Sequence, residues 1–199
     1  MEKMIIATKN KGKIIEIRDI LKEFPVEVIS MGDAGYDAEI DENGCTFSEN
    51  AMVKARALYN LSGEMVLADD SGLEIDFLNG APGIFTSRFA GNNVSQEVKN
   101  NRIIHLLKGI DTQFRTARFV CSIAFVSKNI SFCTEGSVEG LISEESMGTD
   151  GFGYDPIFYL PEYENTFAQL PESIKNEISH RAVALKKFRA KFAEIITTI

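Results

Sequence analysis

Apolar and polar positions change period several times along the chain, and each change marks an element. Residues 3–7 form a short apolar run of the kind a buried strand makes. Residues 13–21 then take a helical period, with Ile14, Ile17 and Leu21 on one face. Residues 26–30 read as a second short strand, and residues 31–45 as a polar, acidic loop. Thr46 with Glu49 three positions later is a capping box, and Phe47, Ala51, Ala55 and Leu58 form the buried stripe of the helix it starts. Residues 65–68 are an apolar strand running into Asp69, Asp70, Ser71 and Gly72. Leu73, Ile75 and Phe77 alternate with Glu74 and Asp76, which predicts another strand with one wet face.

The second half reads differently. Residues 81–91 are an irregular loop, and Ser95 caps a helix that runs to about Leu107. His105 falls in that helix's apolar pattern and reads as structural. Residues 117–127 are apolar on both faces, the mark of a central strand. Residues 130–135 are its hairpin partner through Lys128-Asn129, and residues 136–142 continue the sheet. Residues 148–155 are a glycine-rich turn. Ser179 caps a last helix whose buried face is Ala182, Leu185, Phe188 or the Arg189 stem, Phe192 and Ile195. The pattern predicts an α/β chain with a mixed sheet.

A length of 199 residues suits one large domain or two small lobes. With 44% hydrophobic and 25% charged residues the chain is not of disordered type. No apolar run approaches the roughly 18 residues of a spanning helix, and the N-terminus does not read as a signal peptide. The three cysteines, Cys45, Cys121 and Cys133, form no CxxC pair. They argue against a disulfide framework or structural zinc and fit a reducing, cytoplasmic setting. A net charge of -8 disfavours a nucleic-acid polymer as partner. It permits a small polyanion where a metal and a local basic pocket supply the charge.

Five groups carry candidate chemistry. Thr8, Lys9, Asn10, Lys11, Gly12 and Lys13 lie between a strand and a helix, where free N–H groups, the helix dipole and three lysines suit phosphate; a solvated loop is the plain alternative, and no P-loop motif is present. Asp69 and Asp70, with Ser71 and Gly72, stand at a strand's C-terminal end, where ligands of open α/β sheets bind. Adjacent carboxylates of this kind suit Mg²⁺, or else form an Asp-rich turn. Glu39, Asp41 and Glu42 are a solvated charge run or the source of a second metal carboxylate. In the turn Gly151–Pro156, Phe152 and Tyr154 are candidates to stack on a base, Gly153 permits close approach and Asp155 accepts hydrogen bonds; the alternative is an aromatic turn packed on the core. Lys175, His180 and Arg181 gather at a helix start, where the dipole favours anions rather than cations, so a bound anion would explain them; a local surface cluster is the alternative. Together the groups describe a nucleotide phosphate site with a base pocket.

The segments ATKNKGK, TFSENAMVKARAL, LADDSGLEIDFLNGAPGIFTSRFAG, GFGYDPIF and ISHRAVALKKF, in this order, resemble the Ham1-like inosine triphosphate pyrophosphatases, also called XTP/dITP diphosphatases. The resemblance runs nearly end to end and makes residues 1–199 a single domain of that type. It implies two α/β lobes around a long mixed β-sheet, an active site in the cleft between them, and a homodimer. It also implies Mg²⁺-dependent hydrolysis of ITP, dITP and XTP to the monophosphate and pyrophosphate. By position, Thr8 to Lys13 match the phosphate loop, Asp70 the catalytic acid and metal ligand, and Glu42 a second metal carboxylate. Ser71 matches a substrate contact, and Phe152 to Asp155, Lys175, His180 and Arg181 match the base and substrate pocket. Asp150 stands where many relatives have glycine, and a carboxylate there would alter base preference.

The expected mechanism has Asp70, or Asp69 beside it, positioning or deprotonating water, with positioning and charge stabilisation carrying the chemistry. The rival readings are another metal-dependent phosphohydrolase, a non-enzymatic nucleotide sensor and, least favoured by charge, an RNA-binding module.

Overall fold

A computed structural model describes residues 2–37, 40–91 and 94–196, apart from the side chain of Lys11. The strands are β1 (Glu2–Ile6), β2 (Val26–Ser30), β3 (Met65–Ile75), β4 (Thr116–Val126), β5 (Ser131–Ile142), β6 (Phe158–Leu160) and β7 (Asn165–Thr166). They form one sheet in the order β2-β1-β3-β4-β5-β6-β7. β1 pairs in parallel with β2 and β3, whereas β6 pairs antiparallel with β5 and β7, so the sheet is mixed as expected. The helices are α1 (Lys11–Leu21), α2 (Phe47–Ser62), α3 (Gln96–Leu106), α4 (Glu172–Ile178) and α5 (His180–Ile195).

The chain divides into two compact units. The first comprises Met1–Asp70, Cys121–Gly136 and Val183–Ile199. Strand alternation sends its apolar residues to two cores. Met4, Ile6, Met65, Leu67, Cys121, Ile123 and Phe125 meet Ile17 and Leu21 of α1 and Leu185, Phe188 and Phe192 of α5. Ile5, Val66, Ala68, Ala124 and Val126 meet Ala51, Ala55 and Leu58 of α2. Each large side chain fully buried in this way contributes roughly 1.5–3 kcal/mol. α2 is stopped sharply at both ends. Thr46 Oγ1 accepts from Glu49 N–H at 3.1 Å, and Gly63, at φ 70°, closes the helix through its N–H on Tyr59 O. The return arm of the expected capping box shifts by one residue, because Glu49 Oε2 takes Cys45 N–H.

The second unit comprises Ser71–Val120 and Ser137–Ala182. Its core joins Leu73, Ile75, Ala117, Phe119 and Ile142 of the sheet to Ile103 and Leu107 and to the short segments Tyr154–Leu160 and Phe167–Leu170. Arg118 lies on the wetter face, with ion pairs to Glu74, Asp76 and Glu139 at 3.5, 2.9 and 3.1 Å.

The structure differs from the sequence pattern at four places. The predicted strands at 65–68 and 73–77 are one strand, β3, which runs straight through Asp69–Gly72. Phe77 is not part of it: the backbone tightens into a turn at Asp76–Leu78 and leaves Phe77 48% exposed. His105 is exposed rather than structural, because α3 buries Lys99, Asn100 and Ile103 instead. Lys175 does not join the start of the last helix but sits within α4, with Ser179 between the helices accepting Ala182 N–H at 3.1 Å.

Candidate active site

The first group lies wholly in the first unit. Because β3 continues through the acidic pair, Asp69 and Asp70 point to opposite faces of the strand. Asp69, 2% exposed, meets Lys13 of α1, whose Nζ lies 2.6 Å from Asp69 Oδ2. Asp70 faces α2, where Lys54 Nζ lies 3.2 Å from Asp70 Oδ1 and 3.2 Å from Glu42 Oε1. The carboxylates that share a cation are therefore Glu42 and Asp70. The two adjacent aspartates at a strand end expected from the sequence are instead mid-strand and separated. Burial pushes the Asp70 carboxyl up; Lys54 opposes this and Glu42 adds to it, leaving Asp70 above its ordinary value. Burial works against the Lys54 ammonium, but Asp70, Asp69 and Glu42 outweigh it and hold its pKa above the usual lysine value. Asp70 Oδ2 is buried with no hydrogen-bond partner among the described residues.

The loop before α1 is more self-occupied than a free phosphate cradle. Asn10 caps the helix, its Oδ1 accepting Gly12 N–H at 2.9 Å and Lys13 N–H at 3.3 Å. Thr8 Oγ1 accepts Asn10 N–H at 3.2 Å, and Lys9 Nζ lies 2.5 Å from Asp37 Oδ1. The expected free N–H groups at 12 and 13 are thus taken, since Asn10 satisfies the helix start locally. The Lys11 side chain and Glu39 lie outside the described residues. Asp41 is exposed and takes no part in the cluster around Lys54.

The second group lies wholly in the second unit. Gly151 has φ 83°, and a Cβ there would lie 2.1 Å from Asp155 Oδ2, so only glycine fits this turn. Asp155 Oδ2 accepts Phe152 N–H at 3.2 Å and lies 3.9 Å from Lys175 Nζ. Phe152 is 55% exposed, and the Arg181 guanidinium sits over its ring at 5.7 Å. His180 stacks on Phe119, with ring centroids 4.9 Å apart and planes at 20°. Arg181 is buried, which counts against a mere local surface cluster at this helix start. Ser71, half-buried, opens this unit directly after Asp70. Asp150 is exposed, its N–H donating to Ala168 O at 3.2 Å.

Tyr154 departs from expectation. It is 2% exposed, its hydroxyl donates to Thr86 O at 3.0 Å, and burial pushes its pKa up to about 12. It belongs to the core and offers no ring face for stacking, whereas Phe152 keeps its exposed face.

Two sets of residues escaped the sequence. Lys54 and Asn50 sit at i, i+4 on α2, flanking the apolar stripe; two polar residues at that spacing beside buried Ala51 and Ala55 were the available signal. Lys99 and Asn100 are buried polar residues of α3 that hold the loops of the second unit. Asn100 Nδ2 donates to Gly153 O at 3.3 Å, and Lys99 Nζ donates to Ser87 O. Gln96 supports Asn100, its Nε2 donating to Asn100 Oδ1 at 3.0 Å. A polar face at i, i+3, i+4 on a helix that must pack against a core was the signal there.

Among the described residues no three His, Cys, Asp or Glu gather as a closed metal cage, and no helix is long and apolar enough to cross a membrane. The sequence matches the Ham1 family over residues 4–191. It is 48% identical over 186 residues to a dITP/XTP pyrophosphatase of Desulforamulus reducens, covering 93% of this chain and 92% of the relative. A dITP/XTP pyrophosphatase of Bacillus subtilis is 45% identical over 188 residues, with 94% and 95% covered. The solved Ham1 protein of Staphylococcus aureus superposes with a TM-score of 0.91 at 37% identity, covering 97% of this chain and 99% of the other. That of Coxiella burnetii superposes at 0.92 and 38%, covering 98% and 100%. With a near full-length family match and relatives at this identity, the chain belongs to the Ham1 family.

Proposed function

We propose that this chain hydrolyses purine nucleoside triphosphates with non-standard bases, ITP, dITP and XTP, to the monophosphate and pyrophosphate, and so keeps them out of DNA and RNA. The observation that carries the reading is Asp70. Its carboxylate is half-buried, raised in pKa and tied to Glu42 through Lys54, in a chain 48% identical to a dITP/XTP pyrophosphatase. Perturbed carboxylates of this kind concentrate where proton transfer and charge stabilisation are needed.

In this reading Asp70 orients the attacking water and receives its proton. Lys54 and Lys13 sit within reach of the two strand carboxylates and balance phosphate charge. Thr8, Lys9, Asn10, Lys11 and Gly12 complete the phosphate side, with Asn10 giving up its cap to do so. Glu42 and Asp70 suit a hard divalent cation: both are oxygen donors, and each has an oxygen 3.2 Å from the same Lys54 ammonium. Mg²⁺ commonly takes only one or two carboxylates and completes its shell with phosphate and water. Held there, Mg²⁺ would supply charge neutralisation to the triphosphate.

Phe152 would stack on the base, while Lys175, His180, Arg181 and the Gly153 backbone present donors to a 6-oxo group, which adenine lacks. Asp155 orders that turn, and Ser71 contacts the substrate beside Asp70. The enzyme would act in the cytoplasm as a homodimer and as one functional domain. Phe77, Phe85 and Phe114, each about half exposed, are apolar surface that a second copy would cover.

Phosphorus NMR of the products tests the reaction type. One pyrophosphate and one monophosphate per XTP consumed are expected. Release of inorganic phosphate with a nucleoside diphosphate would refute it.

A further inference from the structure

Asn50 is fully buried one turn into α2, and its two amide atoms face different partners. Oδ1 accepts Gly44 N–H at 2.8 Å. The approach is so close that a Cβ on Gly44 would lie 2.7 Å from that oxygen and 2.7 Å from Glu49 Cβ. The next backbone donor, Cys45 N–H, goes to Glu49 Oε2 at 2.6 Å. Two consecutive amides of the acidic loop are therefore gripped by neighbouring side chains of α2, immediately after the segment that carries Glu42.

The other atom, Nδ2, is buried with no hydrogen-bond partner among the described residues, and so is Asp70 Oδ2. The two belong together, since the Asn50 amide is near enough to bear on the Asp70 carboxyl. The bond to Gly44 accounts for Oδ1, while the only neighbour on which the structure shows Nδ2 acting, among the described residues, is the Asp70 carboxyl.

We propose that Asn50 is a positioning residue that keeps Glu42 and Asp70 in register on either side of Lys54. Oδ1 pins the loop carrying Glu42, and Nδ2 limits rotation of the Asp70 carboxylate, whose other oxygen is held by Lys54. The inference rests on the reading of that cluster as catalytic.

The test combines amide hydrogen exchange at Gly44 with steady-state pyrophosphate release from dITP. Asn50→Leu removes both amide atoms while conserving volume, and a merely structural role would leave its kcat unchanged. The expected result is a folded protein with faster Gly44 exchange and a kcat lower by about 10–100-fold, as for outer-shell partners of metal-site carboxylates, with KM shifted less than about threefold. Asn50→Asp keeps the acceptor, so Gly44 protection persists while kcat falls. Gly44→Ala displaces the loop with Asn50 intact and lowers kcat as well, which keeps the proposal decidable should Asn50→Leu fail to fold. A kcat within about twofold of the parent in folded Asn50→Asp or Gly44→Ala overturns the proposal, as does unchanged Gly44 exchange in Asn50→Leu. Failure of the parent itself to release pyrophosphate would refute the functional reading instead, and Gly44 exchange would still decide the pin.

Discussion

Asp69 and Asp70 are adjacent in the chain and back to back in space. Asp69 meets Lys13 of α1 on one face of β3, and Asp70 meets Lys54 of α2 on the other. A strand places successive side chains on opposite faces, so two carboxylates one residue apart avoid sharing a site and each takes a cation from a different helix. This arrangement assigns the Glu42-linked carboxylate to Asp70 and leaves Asp69 to hold Lys13.

Lys54→Met would strip the shared cation from Glu42 and Asp70. Removing one member of a buried ion-paired set leaves an uncompensated charge, so a loss of about 3 kcal/mol in stability is expected. Turnover should also drop well below that of the parent at saturating substrate. Denaturant unfolding and kcat measured on one preparation check both; parent-like values of both would show that Lys54 is peripheral.

Asp70→Asn should abolish turnover and yet stabilise the fold at neutral pH. The sign follows from the raised pKa. A carboxyl that binds its proton more tightly in the folded state than in the unfolded one costs stability once it is ionised. That cost is present in full above the folded pKa and disappears below the ordinary value of 3.8, where both states are protonated. The melting temperature of Asp70→Asn should exceed the parent's at neutral pH, with the gap closing as the pH falls through the raised pKa. A gap that widens on acidification would contradict the assignment.

Gly151→Ala should loosen the turn carrying Phe152 and Asp155. The left-handed conformation alone costs alanine about 1–2 kcal/mol, and the new Cβ would also collide with the Asp155 carboxylate. KM for XTP should rise more than kcat falls. A variant with parent-like stability and KM would mean that the turn relaxes without consequence.

Phe152→Ala and Tyr154→Phe separate the two aromatics. Loss of a stacking ring worth about 1–3 kcal/mol per base should raise KM for dITP by roughly tenfold or more. Tyr154→Phe should lower stability by about 1 kcal/mol through the lost bond to Thr86 O and leave KM nearly unchanged. The opposite pattern would move the base contact from Phe152 to Tyr154.

The sequence carried the frame of the fold because that frame is local. The stripe Phe47, Ala51, Ala55 and Leu58, the caps at Thr46 and Ser95 and the long apolar strand β4 all stand where their periods place them. The site was only partly legible because its pairings are not local. Lys13 and Asp69 are far apart in the chain, as are Lys54 and Asp70, and no period signals either contact. Polarity at residues 69–72 looked like the end of a strand, yet β3 continues, since lysines from two helices neutralise the carboxylates it buries. Tyr154 misled for the converse reason: an aromatic next to glycines reads as a ligand platform until Thr86 O is seen to take its hydroxyl. The short strands β6 and β7, of three and two residues, are too brief to show a period at all.

Base-selective pyrophosphohydrolysis at Asp70 is decided by kcat/KM for pyrophosphate release from dITP, XTP, ITP, GTP and ATP, each with Mg²⁺ and with EDTA, on the parent and on Asp70→Asn. Strong release from the first three, little from GTP and ATP, and none with EDTA or in the variant is the predicted result. Equal release from all five, or undiminished turnover in folded Asp70→Asn, would contradict the account.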